Sequence, residues 1–230
     1  MMRTMRILLL CLAFLPAVVV RAGAQVREID AAKLPAQAET TRAFVPEGWT
    51  IEAEIEGDLN KDAIPDQAVI LVEAMPADAD KENPPERQRA LLLLFKTDAG
   101  ALRRAALAGK ALLCTRCGGA FFGVAETPVK VTIEKGVVIV RQEYGSRELT
   151  EETLRFRYDA AEGRFVFIGM DRLVHDRLTG LATIESSNYL TGVKVVMKER
   201  PSGKGTSAAG KRTQIFAKKR YIEEVEAASN

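Results

Sequence analysis

The chain has 230 residues, 47% hydrophobic, 28% charged and 6% aromatic. That length can bury one sizeable core or two small ones, and the charge and hydrophobic fractions exclude a wholly disordered chain. The one histidine, His175, excludes metal centres that need two or three histidines from a single chain, and any histidine-based catalysis has to use it.

Residues 1–24 read as a secretory signal peptide. Arg3 and Arg6 give a positive start, and Ile7 to Val20 is an apolar run of 14 residues broken only by Pro16. Ala22-Gly23-Ala24 then puts small residues where signal peptidase reads. The alternative is an uncleaved anchor, for which the run is short: a span takes roughly 20 residues. Cleavage would make Gln25 the first residue. Arg3, Arg6 and Arg21 leave with the peptide, so 30 basic residues then face 31 acidic ones and the whole-chain charge of +2 becomes −1. The basic balance of the full chain is therefore no argument for nucleic-acid binding, and no DNA- or RNA-binding motif is present. The expected compartment is periplasmic or extracellular, where Cys114 and Cys117 would be oxidised.

The rest of the chain has a period of two. Residues 25–42, rich in Ala and Gln, read as a loose N-terminal arm, and 43–230 as one β-rich domain. Phe44 to Trp49 is an opening turn with apolar anchors. Ile51, Ala53 and Ile55 then alternate with Glu52, Glu54 and Glu56, which predicts a strand with one acidic face. Residues 67–73 and 90–96 predict two more strands, separated by an acidic, proline-bearing loop over 75–88. Segments 129–133 and 137–142 flank Glu134-Lys135-Gly136, and 154–158 and 164–169 flank a turn ending at Gly163. Each pair reads as a hairpin whose glycine takes a positive φ. A further pair, 181–188 and 194–199, turns near Gly192. Residues 202–210 predict a flexible loop, and 214–225 a final strand or short helix. The expected fold class is mainly β: an antiparallel meander of hairpins forming a twisted or curved sheet, with a partly propeller-like arrangement as the alternative.

The most specific chemistry lies between the first two strands, in Gly57-Asp58-Leu59-Asn60-Lys61-Asp62-Ala63-Ile64-Pro65-Asp66. Counted from Asp58, side-chain oxygens fall at positions 1, 3, 5 and 9, and the carbonyl of Ile64 stands at position 7. A tightly wound loop turns such groups toward one point. Asp58, Asn60, Asp62 and Asp66 with the Ile64 carbonyl then offer five oxygens to a cation of calcium's size, which takes six to eight with water completing the shell. Three carboxylates so close repel one another unless a cation is present. Val69 at position 12 and the flanking strands exclude an EF-hand.

This segment resembles the calcium loop of the FG-GAP or VCBS repeats, whose hairpin loop reads Asp-x-Asp/Asn-x-Asp-Gly-x-x-Asp. The resemblance implies calcium as cofactor, with Asp58, Asn60, Asp62 and Asp66 as ligands. Ala63 departs from it, standing where the repeats carry glycine. If that position needs a left-handed backbone, alanine costs roughly 1 kcal/mol. More loosely, the chain resembles small exported bacterial proteins with this loop, a Cys-x-x-Cys-Gly-Gly segment (here from Cys114) and a Tyr-Leu-Thr-Gly turn (Tyr189 to Gly192). A complete propeller is not expected, since one calcium loop is visible and 206 residues after cleavage give at most four or five blades at about 40–60 residues each.

Cys114 and Cys117 are spaced for a local disulfide. A thioredoxin-type role would place the pair at a helix start, and zinc would need two ligands from elsewhere. His175 lies among charges, as a solvated loop residue would. Glu52, Glu54 and Glu56 read as a solvated acidic face in preference to catalytic carboxylates. The basic stretch Lys194 to Arg220 could contact a membrane surface, but charges that deter edge pairing are the preferred reading. The sequence thus points to a non-enzymatic, calcium-stabilised β module of the bacterial envelope that binds a protein or glycan. The alternative is a thiol-redox protein or enzyme of the envelope using Cys114 and Cys117. Neither a nucleophile elbow nor a nucleotide-binding loop is present to favour an enzyme.

Overall fold

The structure, a computed structural model, describes residues 28–199, 210–216 and 218–228. The signal peptide read over 1–24 lies outside the described residues, as does 202–209 of the loop read over 202–210. The strands are β1 (Gln37–Ala38), β2 (Trp49–Gly57), β3 (Asp66–Glu73), β4 (Arg89–Lys96), β5 (Leu102–Ala108), β6 (Val129–Glu134), β7 (Val137–Gly145), β8 (Glu148–Asp159), β9 (Arg164–Asp176), β10 (Ala182–Asn188), β11 (Val193–Glu199) and β12 (Lys211–Gln214). The fold is mainly β and an antiparallel meander, divided after β5 into two sheets. Sheet A has the order β1-β5-β4-β3-β2, and sheet B runs β12-β11-β10-β9-β8-β7-β6.

The division follows from what each sheet has to cover. Ala68, Ile70, Leu91, Leu93 and Phe95 of sheet A pack with Val138, Val140, Leu154, Phe156 and Phe167 of sheet B in one core, so the sheets close on each other's apolar faces. The opposite face of sheet A carries Val69, Leu71, Leu92 and Leu94, which pack with Phe44 and Trp49 in a second cluster. Strands β3 and β4 are therefore covered on both faces, which is why their centres read as unbroken apolar runs. The described part of the N-terminal arm provides that second cover. Its strand β1 pairs with β5, Phe44 is fully buried, and the Thr41 hydroxyl donates to Gln67 Oε1 at 2.8 Å.

Three segments differ from the sequence reading. Strand β5 was not expected: its Leu-Arg-Arg-Ala-Ala-Leu-Ala has few strand-forming residues, and a bulge at Ala105 interrupts its alternation against β4. Strands β8 and β9 run to 12 and 13 residues, beyond their apolar stretches, because their polar halves pair with each other and with β7 and β10. The described residues 214–216 and 218–225 do not form one continuous element. Strand β12 ends at Gln214, Tyr221 bridges Val166, and a 3-10 turn at Ile222–Glu224 sinks Ile222 and Val225 into the core between the sheets.

A bulge between Ile51 and Ala53 changes the acidic face of β2. Ile51 pairs with Leu71 but Ala53 pairs with Ile70, so Glu52 is the extra residue, and it reaches Arg89 while itself staying exposed. Its carboxylate accepts from Arg89 Nε and Nη2, both at 2.7 Å. Arg89 is 2% exposed, and its Nη1 donates to the carbonyls of Leu113 (3.3 Å) and Thr127 (3.0 Å). One guanidinium thus ties β2 and β4 to both ends of the connection that carries the two cysteines. We expect Arg89→Met to destabilise the fold by about 3–5 kcal/mol in urea unfolding, because it leaves Glu52 and buried carbonyls without a donor. Glu52→Gln keeps an acceptor and should cost less.

Candidate functional site

The loop between β2 and β3 is wound by its own side chains. Asp58 accepts from the N–H groups of Lys61 (2.5 Å) and Ala63 (3.0 Å). Asn60 Oδ1 accepts from the N–H of Asp62 at 3.0 Å, and Asp62 Oδ1 from that of Ile64 at 2.8 Å. Asn60 Nδ2 donates to Asp62 Oδ2 at 2.7 Å. These contacts force two left-handed residues, Lys61 (φ 69°) and Ala63 (φ 68°). Ala63 therefore carries the strain that its position implied. Gly136, in the β6–β7 turn, lies against Lys61 and the Asp58 carbonyl, and a Cβ on Gly57 would meet Ile133 at 2.7 Å. The loop is thus seated on the end of sheet B nearest β6 and β7.

Asp66 differs from the other three. It is fully buried, with Oδ2 accepting from the Leu59 N–H at 2.8 Å and Oδ1 from the Lys96 N–H at 2.9 Å. Burial pushes its carboxyl above the ordinary range. The two backbone donors oppose that push, and the charge of Asp62 adds to it. Among the described residues no basic side chain pairs with Asp58, Asp62 or Asp66. The donor set suits a hard divalent cation, and a buried carboxylate without a counter-charge favours one. The three carboxylates do not each bring an oxygen within 4.8 Å of the other two, so closing on a cation requires side-chain rotation in the loop.

Cys114 and Cys117 are bridged, with S–S 2.03 Å and Cα atoms 5.1 Å apart. The bridge closes a turn (Cys117 N–H to the Cys114 carbonyl, 3.3 Å), not the start of a helix. Thr115 sews the turn to the chain on either side: its N–H donates to the Arg87 carbonyl, its hydroxyl accepts from the Arg87 N–H, and its carbonyl accepts from the Thr127 N–H. The glycines after Cys117 are there for space. A Cβ on Gly119, whose φ is +77°, would fall 2.6 Å from the Gly145 carbonyl oxygen. Glu86 brings a carboxylate oxygen within 4.8 Å of both sulfurs, but bridged sulfurs are not thiolate ligands.

The remaining sequence candidates are dispersed. His175 is exposed near the end of β9, and the nearby aspartates are engaged elsewhere: Asp171 with Arg155 and Ser186, Asp176 with Arg147. Glu52, Glu54 and Glu56 are all exposed, and Glu52 also accepts from Arg89. In the basic stretch, Lys194 pairs with Glu185 at 2.6 Å, Lys219 pairs with Glu162, and Arg220 lies over the Phe167 ring. Tyr189 of the Tyr-Leu-Thr-Gly turn packs on Phe167 at 4.8 Å between centroids, and Gly192 (φ 66°) leaves room for the Ile215 carbonyl. A depression of about 740 Å³ lies beside the N-terminal arm and Trp49, and its lining has no serine, threonine, cysteine or histidine. Sequence reasoning missed the exposed segment after the disulfide, Ala120 to Ala125, although its run of small and apolar residues was visible.

Comparison with family models, curated proteins and solved structures returned no match to this chain. The loop conformation makes one expectation independent of any ligand. Ala63→Gly should raise stability by about 1 kcal/mol by relieving the left-handed alanine, read as a higher melting temperature in the presence of chelator.

Proposed function

We propose that this chain is an exported, calcium-stabilised β module of the bacterial cell envelope whose task is binding a protein or glycan, not catalysis. The observation that carries this reading is the Asp58–Asp66 loop: an FG-GAP-like spacing of oxygen ligands, a left-handed sixth position, and a buried Asp66 with no basic partner among the described residues. Calcium would be held by Asp58, Asn60, Asp62, Asp66 and the Ile64 carbonyl. It would supply the missing counter-charge and set the register of β2 against β3. The Cys114–Cys117 bridge supports an oxidising destination, and its placement in a sewn turn favours a structural bridge over a redox centre.

Thermal unfolding tests the calcium site. An affinity on the order of 10⁻⁴–10⁻³ M is expected for an extracellular module. At ten times the dissociation constant, calcium should add about 1.4 kcal/mol of stability. Asp62→Ala should remove that increment and leave the fold intact. A wild-type melting temperature that is the same in chelator and in excess calcium would count against the site. Export is tested by the mass of the secreted protein, which should begin at Gln25.

A further inference from the structure

Directly after the disulfide the chain runs Gly118-Gly119-Ala120-Phe121-Phe122-Gly123-Val124-Ala125, eight residues without one polar side chain. Such a run ordinarily goes into a core. Here Ala120, Phe121, Val124 and Ala125 are exposed, Phe121 at 42% and Val124 at 59%, and Phe122 is half-buried against the edge of Phe121. The segment is held rigidly. Phe121 N–H donates to the Gly145 carbonyl, Gly145 N–H to that of Gly118, Phe122 and Gly123 N–H to that of Gly119, and Ala125 N–H to that of Phe122. The disulfide fixes its start and the Thr127–Thr115 hydrogen bond its end.

The neighbouring turn adds to the patch. Arg177 lies over the Phe121 ring, 4.5 Å from its centroid, and next to it Leu178 is 76% exposed. Arg177 and Arg116 have no carboxylate partner among the described residues, their polar contacts being the Ser146 carbonyl for Arg177 and Asn83 and the Pro84 carbonyl for Arg116. Arg147 pairs with Asp176, and Glu148 is the exposed acid of the adjoining turn.

From this geometry we propose that residues 118–125, with Leu178 and the arginine rim, are a membrane-surface docking loop that inserts Phe121 and Val124 at the headgroup–acyl boundary. Three features select a lipid surface over a protein partner. The segment offers no polar side chain for specific recognition. Four of its eight N–H groups are already bonded within the chain, which lowers the cost of bringing it to a low-dielectric boundary. Finally, Arg177, matched by no carboxylate among the described residues, lies on the Phe121 ring itself, and Arg116 stands two residues before the segment in the chain, so anionic headgroups would meet cations beside it. The proposal is independent of the calcium loop: Gly136 precedes β7 and Gly145 ends it, so the two sites stand at opposite ends of that strand, about 30 Å apart at roughly 3.3 Å per residue.

The test is flotation of the purified protein with vesicles of phosphatidylcholine alone and of equal parts phosphatidylcholine and phosphatidylglycerol. The wild type should float with both and more with the anionic vesicles. Phe121→Asp with Val124→Asp should lower the bound fraction by about tenfold or more, the cost of carrying charges into the boundary. Arg116→Gln with Arg177→Gln should remove the preference for anionic lipid. Should the double aspartate variant fail to fold, Phe121→Trp replaces it: the emission of the introduced indole should shift to the blue on addition of anionic vesicles, while that of Trp49 in the wild type does not. A wild type that stays with the soluble fraction in both lipids overturns the proposal. So does a folded aspartate variant that floats like the wild type, or a Phe121→Trp variant whose emission vesicles leave unmoved.

Discussion

The buried guanidinium of Arg89 is the contact on which the rest of the architecture depends. Sheet A and sheet B share a core, but hydrophobic burial is non-directional and would tolerate several ways of joining them. Arg89 removes that freedom. It needs acceptors for its donors at a site where water is absent, and the structure supplies the Glu52 carboxylate and the carbonyls of Leu113 and Thr127. To meet it, β2 has to bulge at Glu52, and the 109–128 connection has to pass over the inner face of β4. Gln142 repeats the arrangement from sheet B. Its amide oxygen accepts from the Leu113 N–H, and its nitrogen donates to Glu152, which also receives Arg172. The connection between the sheets is therefore clamped from both sides by buried polar groups, and the disulfide turn and the apolar loop inherit their positions from that clamp.

This explains which parts of the fold could be read in advance. Where packing is set by one sheet face, side-chain alternation announces it, as in β6. Where a strand is buried on both faces the apolar run announces it, as in β3 and β4. Strand β5 gave no such signal, because alanine suits many environments and the bulge at Ala105 shifts the pattern midway. The contact of Glu52 with Arg89 was illegible for the same reason: one extra residue shifts the alternation, and nothing local in Glu-Ala-Glu marks where it falls. The candidate metal loop was legible because its spacing is a local property of ten residues. The docking loop was overlooked because exposure is a property of the whole fold. An eight-residue apolar run looks like core until the two sheets are seen to be filled without it.

Asp66 shows how the loop end of the molecule couples charge to stability. Its folded-state carboxyl is raised mainly by burial, so the folded protein holds the proton more tightly than the unfolded chain does. Without a cation, the ionised form of Asp66 opposes folding, and stability is recovered as pH falls through the raised value. A divalent cation among Asp58, Asp62 and Asp66 would reverse the sign. It would pull the carboxyl down, so that the stabilisation would be present above the unfolded value and be lost as acid displaced the ion. Under the proposed calcium site, protons and calcium would compete for the same oxygens. The Leu59 and Lys96 N–H groups hold Asp66 in place, each donating to one carboxylate oxygen and leaving lone pairs for a cation. A loop arranged in this way is pre-organised where it is buried and adjustable where it is exposed, at Asp58, Asn60 and Asp62. That division suits an ion site in which the fold holds one ligand and the ion gathers the others.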